Sequence, residues 1–399
     1  MKNFMKKAGQ FLTPNYRRQP IALVAGKGMK VWDSEGNSYL DFVAGIAVVN
    51  LGHSHPRIAG ALCRQAKTIL HASNLYHILP QTRLAELLVK NSALDRAFFC
   101  NSGTEAVEAA LKLARKYGKE VSGRGYEIIA AQNSFHGRSF GGLSATGQDR
   151  FKKGFEPMLP GFKFVEFGNI RQLKKAVSRR TCAVILEVVQ AEGGINIAPP
   201  GYFQAVRKLC DRNNLLLILD EVQTGMGRLG TLFGYQFAKV RPDIITLAKA
   251  LGNGFPIGAM LAREEVGRVL TPGSHASTFG GNFLASTAAL ETVKILLREK
   301  WPERAQKTGK YFLKQLKALK KNHPAIKQVR GVGLMLGAEL AIDRGERVID
   351  EMRRKGFLIN LTQGKILRFV PPLIVTPQEI DKLIFCLDNT LRKFDAEVN

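Results

Sequence analysis

Apolar and polar residues alternate through GMKVWDSEGNSYLDFVAG (28–45), on either side of Ser34-Glu35-Gly36-Asn37. A period of two around a turn-forming centre predicts a pair of strands. The pattern then changes. Short aliphatic runs recur at 127–131, 182–189, 215–220, 243–248 and 258–262, alternating with stretches of helical spacing. A strand that is apolar on both faces must be covered on both. These runs therefore predict an α/β unit, a mostly parallel sheet with helices on each side. Val107, Ala110, Leu111 and Ala114 fall on one helical face just after NSGTEA. Beyond residue 285 the character shifts again. A long basic helical region (286–320) precedes the strand candidates VRGVGLMLGAEL, FLINL and ILRFV, and a closing helix fits 377–394. The expected organisation is a large domain (46–285) and a smaller α+β domain (286–399), with the first 45 residues packing against the latter.

Composition narrows the class. A chain of 399 residues with 45% apolar and 23% charged residues can bury a large core. No stretch approaches the roughly 18 uninterrupted apolar residues of a membrane span. MKNFMKKAGQF carries lysines but no apolar core or small-residue cleavage site, so a secretory signal is not expected and a cytoplasmic location is. Its basic, acid-free character has a faint likeness to an organellar presequence, but the domain pattern begins by Tyr16. The five cysteines show no metal-ligand spacing, and several lie in apolar runs, which predicts reduced, buried thiols. His53 and His55, in GHSHP, lack nearby carboxylate or thiolate ligands. They read as turn and helix-start residues, and no metal is expected.

Charge adds one feature. Lys and Arg number 59 against 33 Asp and Glu, a formal net charge of +26. Such a surface attracts anions and acidic partners. The charge is spread along the chain, and no nucleic-acid motif accompanies it, so a general surface bias and an anionic small-molecule site are expected rather than nucleic-acid binding.

The candidate chemistry gathers at the ends of the aliphatic runs. Asp220 closes LLLILD, and Lys249 follows DIITLA. Alone, Asp220 reads as a helix cap or a structural ion pair, and Lys249 as a snorkelling side chain. Together, at the ends of consecutive strands, they place a carboxylate and a lysine where open α/β sheets bind ligands. A buried amine loses its proton more easily and becomes a nucleophile toward an aldehyde. NSGTEA (101–106) leads from a strand into a helix. Ser102, Gly103 and Thr104 there suit a phosphate, though an ordinary N-cap of Thr104 ahead of Glu105 explains them as well. In FHGRS (135–139), Phe135 could stack on a flat ring and Arg138 could clasp a carboxylate. A core Phe and a surface Arg are the plain alternative.

Several ordered motifs together carry a resemblance that none carries singly: YLDFVAGIAVVNLGHSHP, HASNLYH, NSGTEAVEAALKLARKY, SFHGRSFGGLSATG, ILDEVQTGMGRLG, PDIITLAKALGNGFPIGA, STFGGNFLA and LRFVPPL. The chain resembles the class-III pyridoxal-phosphate-dependent aminotransferases, from about residue 16 to about 395. The resemblance leans toward members that move the terminal (ω) amino group of N-acetylornithine to 2-oxoglutarate in arginine biosynthesis. It implies an aspartate-aminotransferase-like fold with a seven-stranded sheet, and pyridoxal 5'-phosphate as cofactor. Lys249 would condense with the cofactor aldehyde and shuttle the proton. Asp220 would hold the ring nitrogen and Gln223 the ring hydroxyl. Ser102, Gly103 and Thr104 would bind the phosphate, Phe135 would stack on the ring, and Thr278 would reach the phosphate from the other subunit of a homodimer with shared sites. Tyr16, Arg138 and Ser277 would meet the amino substrate. Arg368 would bind 2-oxoglutarate and pair with Glu192 when the other substrate is present.

The rival substrates are succinylornithine, ornithine, 4-aminobutyrate and a lysine-pathway intermediate on an acidic carrier protein, which would suit the charge. A basic polyanion-binding protein on a degenerate aminotransferase fold is the non-enzyme alternative, opposed by the intact Lys249 and Asp220. The chain departs from the family pattern at Val188, Ala191 and Phe283, and at Gly141 and Gly142. Ala191 abuts Glu192 and puts the carboxylate switch in question. Gly141 and Gly142 are expected to loosen the segment after Arg138 and broaden substrate choice.

Overall fold

The computed structural model describes residues 2–395. Its central sheet has seven strands in the spatial order Arg96–Cys100, Gly258–Ala262, Ile244–Leu247, Leu216–Asp220, Thr181–Glu187, Glu127–Ala131 and Phe162–Val165. The last five are parallel to one another, and Gly258–Ala262 runs against both its neighbours. The expected mostly parallel sheet is thus present, with one reversed strand.

Alternation along each strand divides the core in two. Leu217, Leu219, Val184 and Leu186 join one apolar cluster with Val206 and Ala288 of the helices Tyr202–Arg212 and Phe283–Arg298. Leu216, Ile218, Ala183 and Ile185 join another with Val107, Ala110 and Ala114 of the helix Gly103–Glu120. Covering both faces explains why the strand sequences contain almost no polar residue between their ends. The parallel strands also deliver their C-terminal residues to one edge, where the site forms.

Two four-stranded sheets accompany this unit. Leu23–Lys27, Lys30–Asp33 and Ser38–Asp41 form one with the distant Phe357–Leu358, which pairs parallel with Ser38–Asp41. Ile326–Val332, Met335–Leu340, Ile366–Phe369 and Asn360–Thr362 form the other, antiparallel throughout. The run FLINL therefore divides between two sheets rather than forming one strand.

The single basic helical region expected over 286–320 is two helices, Phe283–Arg298 and Trp301–Asn322. They are broken at Lys300, whose φ of 53° ends helical geometry. The first is not basic in character, for it buries Ala288, Leu290, Val293 and Leu296. Of the cysteines, Cys63 is exposed, against expectation, and the other four are buried. His55 precedes the helix Pro56–Ala66, and His53 bonds to Asp41 at 2.8 Å. No helix among the described residues is long and apolar enough to cross a membrane.

Candidate active site

Asp220 ends its strand in register with Glu187 on one side and Thr246 on the other. Its carboxylate is buried and heavily bonded. Oδ1 accepts from Thr246 Oγ1 at 2.9 Å and from the Val222 N–H at 3.1 Å, while His136 Nδ1 lies 2.8 Å from Oδ2. The Nε2 atom of His136 is buried without a partner. A proton on Nδ1, donated to Asp220, matches that arrangement. Sequence reasoning passed over His136, although it stands between Phe135 and Gly137. Glu187 was missed too. Burial and the nearby Asp220 push its carboxyl well above the usual range, against the N–H groups of Phe135 and Ala191 and the charge of Lys249. Its position at the end of CAVILE was the available signal.

Lys249 follows the neighbouring strand Ile244–Leu247, where its φ of 46° is unusual for a side-chain-bearing residue. Burial, and then the charge of Arg368, lower its amine to about 8, opposed by Asp220, Glu192 and Glu187. More of this amine is neutral near pH 7 than of an ordinary lysine, which suits a nucleophile.

The helix Gly103–Glu120 begins at the same cavity. Ser102, not Thr104, is its N-cap, accepting from the Glu105 N–H. Thr104 Oγ1 instead accepts from the N–H groups of Arg138 and Ser139 at 3.2 and 3.1 Å, which leaves its proton free to donate. Gly103 is needed for packing, since an added Cβ would lie 2.8 Å from Val222 Cγ1. The first-turn N–H groups of a helix attract an anion. Gly141 and Gly142 correct the expectation of looseness. Both are buried, the Gly142 N–H bonds Glu108, and a Cβ at Gly142 would lie 2.6 Å from the His136 carbonyl. They let the segment turn tightly against the helix.

A cavity of about 420 Å³ unites Ser102, Gly103, Thr104, Phe135, Arg138, Asp220, Gln223 and Lys249. Glu192 lines an adjoining outer cavity, which Arg138 shares. Arg368 is buried behind Glu192, with Nη1 2.8 Å from the Glu192 carboxylate and Nε donating to Asn360 Oδ1 at 2.9 Å. The pair forms despite Ala191, whose backbone carbonyl itself accepts from Arg368. Three predicted residues stand apart. Tyr16 and Thr278 are exposed and line neither cavity. Ser277 reaches the inner cavity only through Asn101, which donates to its Oγ at 3.3 Å.

This arrangement joins a lysine with a lowered amine, a bonded carboxylate, a helix N-terminus and an aromatic ring. The class-III aminotransferase family model matches residues 11–391. The chain belongs to the class-III aminotransferase family. It is 52% identical to acetylornithine aminotransferase of Caldanaerobacter subterraneus subsp. tengcongensis, over 96% of this chain and 97% of the relative. It is 51% identical to acetylornithine aminotransferase of Methanocaldococcus jannaschii, over 94% of each. Among solved structures it is similar to the ornithine aminotransferase of Toxoplasma gondii that shows partial occupancy of PLP at its active site. The TM-score there is 0.94 with 34% identity, over 100% of this chain and 96% of that one. As a class-III aminotransferase, the protein is a pyridoxal-phosphate-dependent enzyme that moves an amino group between a small amino donor and a 2-oxo acid. Its residues fit that cofactor. The aldehyde requires an amine, the ring nitrogen a carboxylate, and the phosphate free N–H groups. The buried Gln223 Oε1, which has no partner, offers an acceptor at the same cavity.

Proposed function

We propose that this class-III aminotransferase moves the terminal amino group of N-acetylornithine to 2-oxoglutarate, reversibly, in arginine biosynthesis. The observation that carries the reading is the Glu192–Arg368 pair, both of whose charges act on Lys249. A cation that can be covered by a carboxylate suits a site that must take a monocarboxylate donor and a dicarboxylate acceptor in turn. The names of the relatives support the donor.

Pyridoxal phosphate, when bound, supplies the electron sink for a carbanion at the substrate carbon. Lys249 would take the proton from that carbon with its Nζ and hand it on to the cofactor. Asp220 keeps a proton at the ring nitrogen, and His136 and Thr246 keep Asp220 aimed. Gln223 would accept from the ring hydroxyl, Phe135 would pack on the ring, and Ser102, Gly103 and Thr104 would hold the phosphate. Arg138 binds the carboxylate far from the reacting amine. Glu192 neutralises Arg368 during the donor half and releases it to the acceptor carboxylate in the other.

Thr278 lies outside the cavity of its own subunit, which supports its donation to the phosphate of a second copy in a homodimer. The proposed location is the cytoplasm. Ornithine is the second reading, favoured by the ornithine aminotransferase among the similar structures.

Steady-state rates with N-acetylornithine, succinylornithine, ornithine and 4-aminobutyrate, each against 2-oxoglutarate, test the proposal. N-acetylornithine should give the highest kcat/KM. A higher value for another donor overturns it.

A further inference from the structure

The outer cavity, of about 1250 Å³, adjoins the inner one at Arg138, which lines both. Arg150 is one of several further arginines on its wall. Both arginines stand over the ring of Phe151, with guanidinium carbons 4.1 Å (Arg138) and 4.7 Å (Arg150) from its centroid. The sum of those distances is the most that can separate them. Arg150 Nη2 also donates to Gln148 Oε1 at 3.0 Å.

Gln148 is itself fixed. Its amide nitrogen donates to the carbonyls of Asn133 and Ser134, and its oxygen also accepts from Gln363 at 3.0 Å. Gln363 in turn donates to the carbonyl of Glu192 at 2.8 Å. An aromatic ring and an anchored amide thus hold Arg150, which is exposed in the single chain. Among the described residues, neither Arg138 nor Arg150 has a carboxylate partner. The carboxylates lining this cavity are engaged elsewhere: Glu192 with Arg368, Asp41 with His53, Glu346 with Arg17 and Asp350 with Arg353.

We propose that Arg150 is a specificity residue that selects N-acylated donors over donors with a free α-ammonium. The proposal rests on the donor reading above and deepens it. Acylation replaces an ammonium with a neutral amide whose carbonyl oxygen lies only a few bonds from the α-carboxylate. With that carboxylate on Arg138, the acyl oxygen accepts a hydrogen bond from Arg150. A free α-ammonium in the same place meets a guanidinium of like charge and finds no unengaged carboxylate. The cavity therefore attracts one donor and repels the other.

The test uses the holoenzyme, with Arg150→Gln and Arg150→Lys. In Arg150→Gln, kcat/KM for N-acetylornithine should fall about tenfold, through KM, while that for ornithine does not fall. Arg150→Lys keeps the charge and should recover part of the selectivity. Calorimetric titration with N-acetyl-L-norvaline, which lacks the reacting amine, should show about tenfold weaker binding to Arg150→Gln. An equal loss for both donors, a loss confined to kcat, or an unchanged titration overturns the proposal. A wild-type enzyme that does not turn over N-acetylornithine refutes the donor reading instead, and the titration still judges Arg150.

Discussion

Arg368 Nη1 lies 2.8 Å from the carboxylate of Glu192, and only 1% of the arginine is exposed. A buried guanidinium needs its partners, and here one of them stands at the wall of the outer cavity, where an incoming carboxylate can replace it. Removing the cation should therefore damage the two half-reactions unequally. Arg368→Ala should slow the 2-oxoglutarate half about a hundredfold and the N-acetylornithine half far less. Glu192→Ala should favour attack on the α-amine of glutamate. Single-turnover absorbance changes separate the halves, and equal losses in Arg368→Ala would make the arginine a shared anchor rather than a switch.

Lys249 should be the residue that captures the cofactor. Borohydride reduces a carbon–nitrogen double bond, so treatment of the yellow holoenzyme should leave the label on the peptide containing Lys249. Its amine is lowered to about 8 by burial first and then by Arg368. Only the neutral amine attacks an aldehyde, so cofactor capture by the apoenzyme should accelerate as pH rises through about 8 and level off above it. Arg368→Ala removes a lowering influence and uncovers Glu192, which raises the value. Both effects shift the inflection to higher pH. Stopped-flow absorbance across a pH series measures it, and a flat profile or a label elsewhere contradicts the assignment.

Asp220→Asn preserves shape and removes the charge opposite the ring nitrogen. The two acceptor bonds at Oδ1 can persist on an amide oxygen, so the variant should stay folded. Turnover should fall by orders of magnitude, because a charge-assisted bond in a low-dielectric cavity is lost. Near wild-type turnover with an unchanged melting temperature would give the carboxylate another task.

The strands around the site were legible because their covering helices forced aliphatic runs, and Asp220 and Lys249 stood out at the ends of those runs. His136 was not legible in the same way. Its contact with Asp220 joins residues 84 positions apart, and no local pattern records it. Glu187 hid for a related reason: unlike Asp220 it does not close its aliphatic run, which continues through Val188 and Val189, and its pairing opposite Asp220 joins distant strands. The division of FLINL between two sheets follows from pairing partners far away in sequence. Gly141 and Gly142 suggested freedom by their composition. In the fold they mark a close approach, a distinction that only the opposing atoms of Glu108 and His136 reveal.

The strand Phe357–Leu358 completes a sheet begun by Ser38–Asp41. During synthesis, more than 300 residues must emerge between the two, while every strand of the central sheet lies within 96–262. The early hairpin therefore leaves the ribosome with an open edge that the chain itself cannot yet cover. Such edges invite pairing with other chains. Until Phe357–Leu358 has been made, the Ser38–Asp41 edge has no partner strand from its own chain on that side.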